Sequence, residues 1–251
     1  MNFNKINLLG VVHSDPKSEA RLSRAFEFFS PDIITLEYAG KEFEDYLAKP
    51  EIKRRQKEFQ EEILILLDEF KIRIDVKVLD NLARSNDGSV YGQEIYTTIA
   101  YAQSKGIPCI YVDSPEILMK LQSRLNPTTF FRGMKEMFQN LKASDKLPQL
   151  DSAEELLKLN DNNYLPFEQH FKEGDILKVN SLVSQLVLGC SIVGKDRDKY
   201  QRDRILEVLV PDKKILHVGC IAHLADVPEA PTLYSLIKEH VQERYSLRSF
   251  A

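Results

Sequence analysis

Short apolar runs rich in Val, Ile and Leu recur along the chain, and each run stops at a polar residue. These runs are Ile6 to Val12, DIITL at 32–36, IPCIYV at 107–112 and KILHVGCIA at 214–222. Runs of this length and composition are typical of strands buried on both faces of a parallel sheet. The pattern predicts an α/β fold with a mixed, largely parallel central sheet flanked by helices.

Segments with helical apolar spacing lie between these runs. SEARLSRAFEFFS at 18–30 predicts a helix that ends at the Ser30-Pro31 break, so residues 5–37 form a right-handed βαβ unit. Further helices are predicted over 41–72, 91–106 and 176–210, the last as two helices, and an amphipathic helix is predicted at the C-terminus. The stretch DVKVLD at 75–80 predicts one more short strand.

The chain predicts a single α/β domain over residues 1–251, a length that is ordinary for one domain. Residues 127–172 are polar and irregular and carry no alternating strand pattern. We therefore expect this segment to be a helical cap or lid inserted into the domain.

Charge and cysteine content restrict the functional class. The formal net charge of −4 gives no electrostatic reason to expect nucleic acid or an anionic membrane as a partner. No apolar run reaches the roughly 18 residues of a membrane span, so a cytoplasmic location is predicted. Cys109, Cys190 and Cys220 stand singly in apolar runs. They are expected to be reduced, buried residues rather than disulfides or thiolate metal ligands.

A polar side chain follows each of these predicted strands. Open parallel sheets bind their ligands at this edge, where the strands end. The polar side chains are those of His13, Glu37 and His223, together with Asp113 after the third strand and Arg202 and Asp203 from the helix before the last strand. Two imidazoles with one carboxylate suit a divalent metal that activates water. The same groups without a metal could act as general base and acid around a water molecule.

Each of these residues also has a structural explanation. His13 could be a hydrogen-bonding group at a strand end, and Glu37, half-buried, would need a cationic partner such as Arg202. The run DRDKYQRDR around Arg202 is typical of a solvated helix face. His217 is expected to pack within its strand, and Asp113 could cap the next helix.

The order of these elements resembles the TraB family, within the wider group that includes the GumN-like and TIKI proteins. The similar segments are LLGVVHSDPKSEARLSRAFEFFSPDIITLEYAG, YGQEIYTTIAYAQSKGIPCIYVDSP and QRDRILEVLVPDKKILHVGCIAH. Residues 127–172 have no counterpart in that pattern. The final motif, Gly219 to His223, is one residue longer than the usual glycine-x-x-histidine, and Ser114 stands where arginine is typical.

The resemblance implies a metal-assisted peptidase or related hydrolase that uses manganese, cobalt or zinc. It implies His13 and His223 as metal ligands, Glu37 as ligand or base, and Arg202, Asp203 and Glu94 as further catalytic residues. The substrate would be a peptide or a small molecule, and a homodimer is left open. Two alternatives stay open: a regulator that binds a peptide or small ligand without turnover, and a metal-free esterase in which a histidine activates water.

Overall fold

The α/β prediction is confirmed by the computed structural model, which describes residues 5–13, 15, 17–72, 93–124, 127–143, 153–173, 181–226 and 231–251. Over these ranges, five strands form one sheet, and every strand pair in it is parallel. The sheet is therefore parallel throughout its described part rather than mixed. The strand predicted at 75–80 lies outside the described residues.

The strand order places the first, second and fourth strands side by side. The strands are β1 (Ile6–Val11), β2 (Ile33–Leu36), β3 (Cys109–Tyr111), β4 (Ile215–Cys220) and β5 (Val241–Ser246), in the order β3-β2-β4-β1-β5. Val218 is level with Leu36 of β2, and Cys220 is level with Val11 of β1. The carboxyl ends of β1, β2 and β4 therefore meet at one edge of the sheet.

Helices cover both faces of the sheet. They are α1 (Ser18–Phe29), α2 (Lys41–Leu47), α3 (Pro50–Glu69), α4 (Gln93–Lys105), α5 (Pro115–Arg124), α6 (Pro127–Ala143), α7 (Ala153–Glu173), α8 (Ser181–Val208) and α9 (Leu233–Ile237). Short 3₁₀ turns cover Ile221–Leu224, Lys238–His240 and Leu247–Phe250. The two helices predicted over 176–210 form a single helix, α8, from residue 181 onward. In the described ranges, no helix is long and apolar enough to cross a membrane.

Alternate residues of the strands contribute to two hydrophobic clusters, one on each face of the sheet. Leu9 of β1 packs with Phe26 of α1 in the first cluster. Leu8, its neighbour on β1, belongs to the second cluster with Ile205 of α8. Because successive strand side chains point to opposite faces, helices α1 and α8 cover opposite sides of the sheet.

The segment expected to form a cap contains helices α6 and α7. Tyr164 and Phe167 of α7 are buried in the same cluster as α1, so this part of α7 packs on the body of the protein. Helix α6 packs near the end of α3, where the ring centroids of Phe138 and of Phe70, the residue after α3, are 5.5 Å apart.

The prediction of a C-terminal amphipathic helix is wrong. Among the described residues after β4, the one α-helix is the short α9, and the chain then forms β5 at the edge of the sheet beside β1. Most of β5 is partly or fully exposed, so it carries polar residues such as Gln242 and Glu243 instead of an apolar run. An edge strand of this kind does not show the pattern of a buried strand.

Candidate active site

Polar side chains from four strand ends meet at the carboxyl edge of the sheet. Glu37 follows β2 directly, His13 lies two residues after β1, Cys220 ends β4, and Asp113 lies two residues after β3. Parallel sheets place ligand-binding residues at this edge. Helices α4 and α8 add further charged groups to the same region.

The carboxylate of Glu37 is buried at the carboxyl end of β2. Its Oε2 atom accepts a hydrogen bond of 2.6 Å from the backbone N–H of Cys220, and its Oε1 atom accepts one of 2.5 Å from Nη2 of Arg197. Burial would raise the pKa of Glu37, but the positive charges of Arg197, His223 and His13 lower it to about 2. The carboxylate is therefore ionised at neutral pH.

Arg197 of α8 is the cation that joins the ends of β2 and β3. Its Nε and Nη2 atoms donate to Oδ1 and Oδ2 of Asp113 at 2.8 and 2.6 Å, a bidentate arrangement. Gln201, one turn later, donates to Oδ1 of Asp113 at 2.7 Å. The partner of Glu37 is thus Arg197 and not Arg202.

His223 lies in the 3₁₀ turn after β4 and is surrounded by charge. Its Nδ1 atom is 2.6 Å from Oδ1 of Asp198, and its Nε2 atom is 3.9 Å from Oε1 of Glu37 and 3.3 Å from Nη1 of Arg197. Burial would lower the pKa of His223, but the carboxylates of Glu37 and Asp198 outweigh it and raise the pKa to about 9. At neutral pH, the cluster therefore contains two cations, Arg197 and the protonated His223.

The raised pKa of His223 predicts a loss of stability in alkaline solution. Its contribution to the free energy of unfolding is fully present below the unfolded pKa of about 6.5 and is lost as the pH rises through about 9. The loss should be on the order of 3 kcal/mol. Urea unfolding between pH 6 and 10 should show this decline in the wild type and not in His223→Gln. Parallel curves for the two proteins would contradict the assignment, and His240→Gln serves as the control.

His13 is paired with a carboxylate from the first turn of α4. Its Nδ1 atom is 2.5 Å from Oε1 of Glu94, whose side chain is 2% exposed, whereas the side chain of His13 is 44% exposed. Partial burial would lower the pKa of His13, but Glu94 and the neighbouring Cys220 thiol raise it well above its usual value. The ring is therefore fixed from inside the protein and accessible from solvent.

Cys220 lies beside this imidazole. Its thiol is within hydrogen-bonding reach of His13, and although burial would raise the pKa of the thiol, the contact with His13 lowers it. Cys109 differs, because burial raises the pKa of its thiol to about 11. Both cysteines are free, as expected, but each is partly exposed rather than buried.

Gly219 makes room for the buried carboxylate. A Cβ atom at this position would lie 2.6 Å from Nε2 of His217 and 2.7 Å from Oε2 of Glu37. We expect Gly219→Ala to lower the free energy of unfolding by about 1–3 kcal/mol, since one of these side chains or the strand must move. Chemical denaturation measures the loss. The control is Gly133→Ala in α6, where nothing lies within 4 Å of the added Cβ; an equally small effect of both changes would contradict the prediction.

His217 packs within the sheet beneath Glu37. Its Nδ1 atom is 3.1 Å from Oγ1 of Thr35, and the side chain is buried. Burial lowers the pKa of His217 to about 4, so the imidazole is neutral at neutral pH. Its position is that of a packing residue in the strand.

The structure brings five of the seven residues named in the sequence analysis to this edge: His13, Glu37, Glu94, Asp113 and His223. Arg202 and Asp203 instead bond each other at 2.7 Å on the outer side of α8. Sequence reasoning missed Arg197, Asp198 and Gln201. The available indication was spacing, because Gln201 and Arg197 lie one and two turns before the buried Ile205 of the same helix.

The cluster does not fit a bound metal ion. Within the described residues, no three His, Cys, Asp or Glu side chains are grouped as metal ligands. Both oxygens of Glu37 accept hydrogen bonds, and the guanidinium of Arg197 contacts both Glu37 and His223, so a metal shared by those two residues would have to displace a cation.

Comparison with known proteins found no matching protein family, no matching curated protein and no matching solved structure. The resemblance to the TraB family therefore stays a prediction.

Proposed function

We propose that this protein is a metal-independent hydrolase that cleaves ester or amide bonds, with His13 and Glu94 as its acid–base pair. The observation that carries the proposal is the 2.5 Å contact between Nδ1 of an accessible imidazole and a buried carboxylate. A carboxylate in this position accepts the Nδ1 proton and leaves Nε2 to exchange protons with a reacting group.

The ion pairs of Arg197 with Glu37 and Asp113 fix the surroundings of this acid–base pair. Glu37 accepts a hydrogen bond from the backbone N–H of Cys220, and Arg197 donates hydrogen bonds to Glu37 and Asp113. The ends of β2, β3 and β4 are therefore fixed relative to one another. Positioning of this kind lets a side chain meet a substrate without reorganisation. In this proposal, the cluster does not bind the substrate.

Arg197 also argues against the metal-dependent mechanism that the resemblance implies. A metal bound by His13, His223 and Glu37 would have to displace the guanidinium from Glu37, and Glu94 already holds one ring nitrogen of His13. No step of the proposed reaction is assigned to a metal.

Hydrolysis of p-nitrophenyl acetate, p-nitrophenyl butyrate and a set of aminoacyl p-nitroanilides tests the proposal. We expect the wild type to hydrolyse at least one of these probes and His13→Ala to lose at least about 100-fold in kcat/KM. His240→Ala should retain wild-type activity. A His13→Ala protein that is folded and fully active would contradict the proposal. No turnover of any probe by the wild type would favour the ligand-binding regulator.

A further inference from the structure

We propose that Cys220 is the nucleophile of this hydrolase and forms a covalent thioester with the acyl part of the substrate. This inference rests on the proposed function and adds one residue to it. His13 transfers the protons, and Glu94 orients His13.

The register of the sheet places these groups together. Cys220, the last residue of β4, is level with Val11, the last residue of β1, and His13 lies two residues beyond the end of β1. Glu94 lies 2.5 Å from Nδ1 of His13, which leaves Nε2 for proton exchange with the thiol at the end of the neighbouring strand. Nucleophile, base and orienting carboxylate thus come from β4, the loop after β1 and α4.

The surroundings fix the position of the thiol and keep it accessible. The backbone N–H of Cys220 donates to Oε2 of Glu37 at 2.6 Å, so the end of β4 is held in place. Cys220 and His13 are both partly or fully exposed, whereas Glu94 is buried. In the described part of the chain, His13 is the one hydrogen-bond partner of the Glu94 carboxylate.

This placement favours attack by the thiol over attack by water. The register of β1 and β4 brings the thiol of Cys220 next to His13, the group that would accept a proton from either nucleophile. A thiolate is also a much stronger nucleophile than water, and adjacent imidazoles are what activates cysteine in hydrolases.

The reaction then has two balanced steps. The thiol of Cys220 first gives its proton to His13, and Sγ of the thiolate then attacks the carbonyl carbon; the bond to the alcohol or amine breaks, and His13 gives the proton to that leaving group. Water next attacks the thioester and gives a proton to His13, the carbon–sulfur bond breaks, and the thiol recovers its proton. A carboxylic acid and the free enzyme result.

Cys109 provides a matched control for Cys220. It begins β3, level with Ile34 of β2, whereas the site lies beyond the other end of that strand. The separation along the strands is about 10 Å. Both residues are single free cysteines at strand ends, so serine at either position makes the same chemical change.

Hydrolysis of p-nitrophenyl acetate by Cys220→Ser and Cys109→Ser tests the nucleophile. We expect Cys220→Ser to lose at least about 100-fold in turnover, Cys109→Ser to stay within about twofold of the wild type, and quenched wild-type enzyme to carry an acetyl group on the peptide containing Cys220. If Cys220→Ser keeps full activity while His13→Ala has none, the nucleophile is water. The inference then fails, and the proposed function stands.

Alkylation gives a readout that does not depend on turnover. With iodoacetamide at pH 7, followed by peptide mass spectrometry, we expect Cys220 to react at least about tenfold faster than Cys109 in the wild type. His13→Ala should remove most of that advantage. Equal rates for the two cysteines, or no effect of His13→Ala in a folded protein, would overturn the pairing of Cys220 with His13. If the wild type hydrolyses no probe but alkylation follows this pattern, the proposed function fails while the reactive pair remains.

Discussion

Replacing Arg197 with methionine is expected to lower the free energy of unfolding by about 3–5 kcal/mol. Arg197 is hydrogen-bonded to both Glu37 and Asp113, and the change removes the cation that these two buried carboxylates share. An uncompensated buried charge costs far more than a surface ion pair contributes. Urea unfolding at pH 7, followed by circular dichroism, measures the loss.

Arg202→Met is the matched control for that change. Arg202 lies on the same helix and also pairs with a carboxylate, but its partner Asp203 is 59% exposed. Such a pair is worth at most about 1 kcal/mol. Adding Asp113→Asn to Arg197→Met should recover part of the loss, because one buried charge is removed. If Arg197→Met were as mild as Arg202→Met, the cluster would not have the role assigned to it.

Glu94→Gln is expected to lower kcat on p-nitrophenyl acetate by at least about 100-fold, with little change in KM. The amide keeps the shape of the side chain but not the negative charge that stabilises a protonated His13. Since Glu94 raises the pKa of His13, its removal should bring that pKa down and move the alkaline limb of the activity profile to lower pH. Steady-state kinetics between pH 5 and 10 give both results.

Glu19→Gln is the control for Glu94→Gln. Glu19 is an exposed carboxylate that accepts a hydrogen bond of 3.0 Å from Gln93, the residue next to Glu94. Its replacement should change neither kcat nor the pH profile. A Glu94→Gln enzyme with wild-type kcat and an unchanged profile would show that this carboxylate does not act on the reacting imidazole.

The strands could be predicted from the sequence because burial on both faces produces apolar runs that few other structures share. Parallel topology then places the residues that follow β1, β2 and β4 at one edge. This is where the structure places His13, Glu37 and His223. The C-terminal strand was missed because β5 is an exposed edge strand and has no apolar run.

The sequence gives less direct information about which arginine forms the ion pairs of the cluster. The run DRDKYQRDR offers several arginines, and the rotation of α8 about its axis decides which one turns inward. Counting back in single turns from the buried Ile205 gives Gln201 and Arg197, whereas Arg202 falls on the outer side. Charge alone does not contain that information.

The pairing of Cys220 with His13 depends on strand register between distant parts of the chain. A cysteine at the end of an apolar run has the composition of a core residue, and the imidazoles near it in the sequence are those of His217 and His223 rather than that of His13. Only the alignment of β1 with β4, which sets Cys220 level with Val11, brings thiol and imidazole together. A shift of one residue would turn the thiol to the opposite face.

We expect His13 to support hydrolysis without a bound metal. The most direct test is the rate of p-nitrophenyl acetate hydrolysis by wild-type and His13→Ala proteins after exhaustive dialysis against EDTA, with and without added manganese, cobalt or zinc. We expect the wild-type rate to be unchanged by chelation and by each metal, and the His13→Ala rate to fall to background. Wild-type activity that disappears on chelation and returns with one of these ions would contradict the claim.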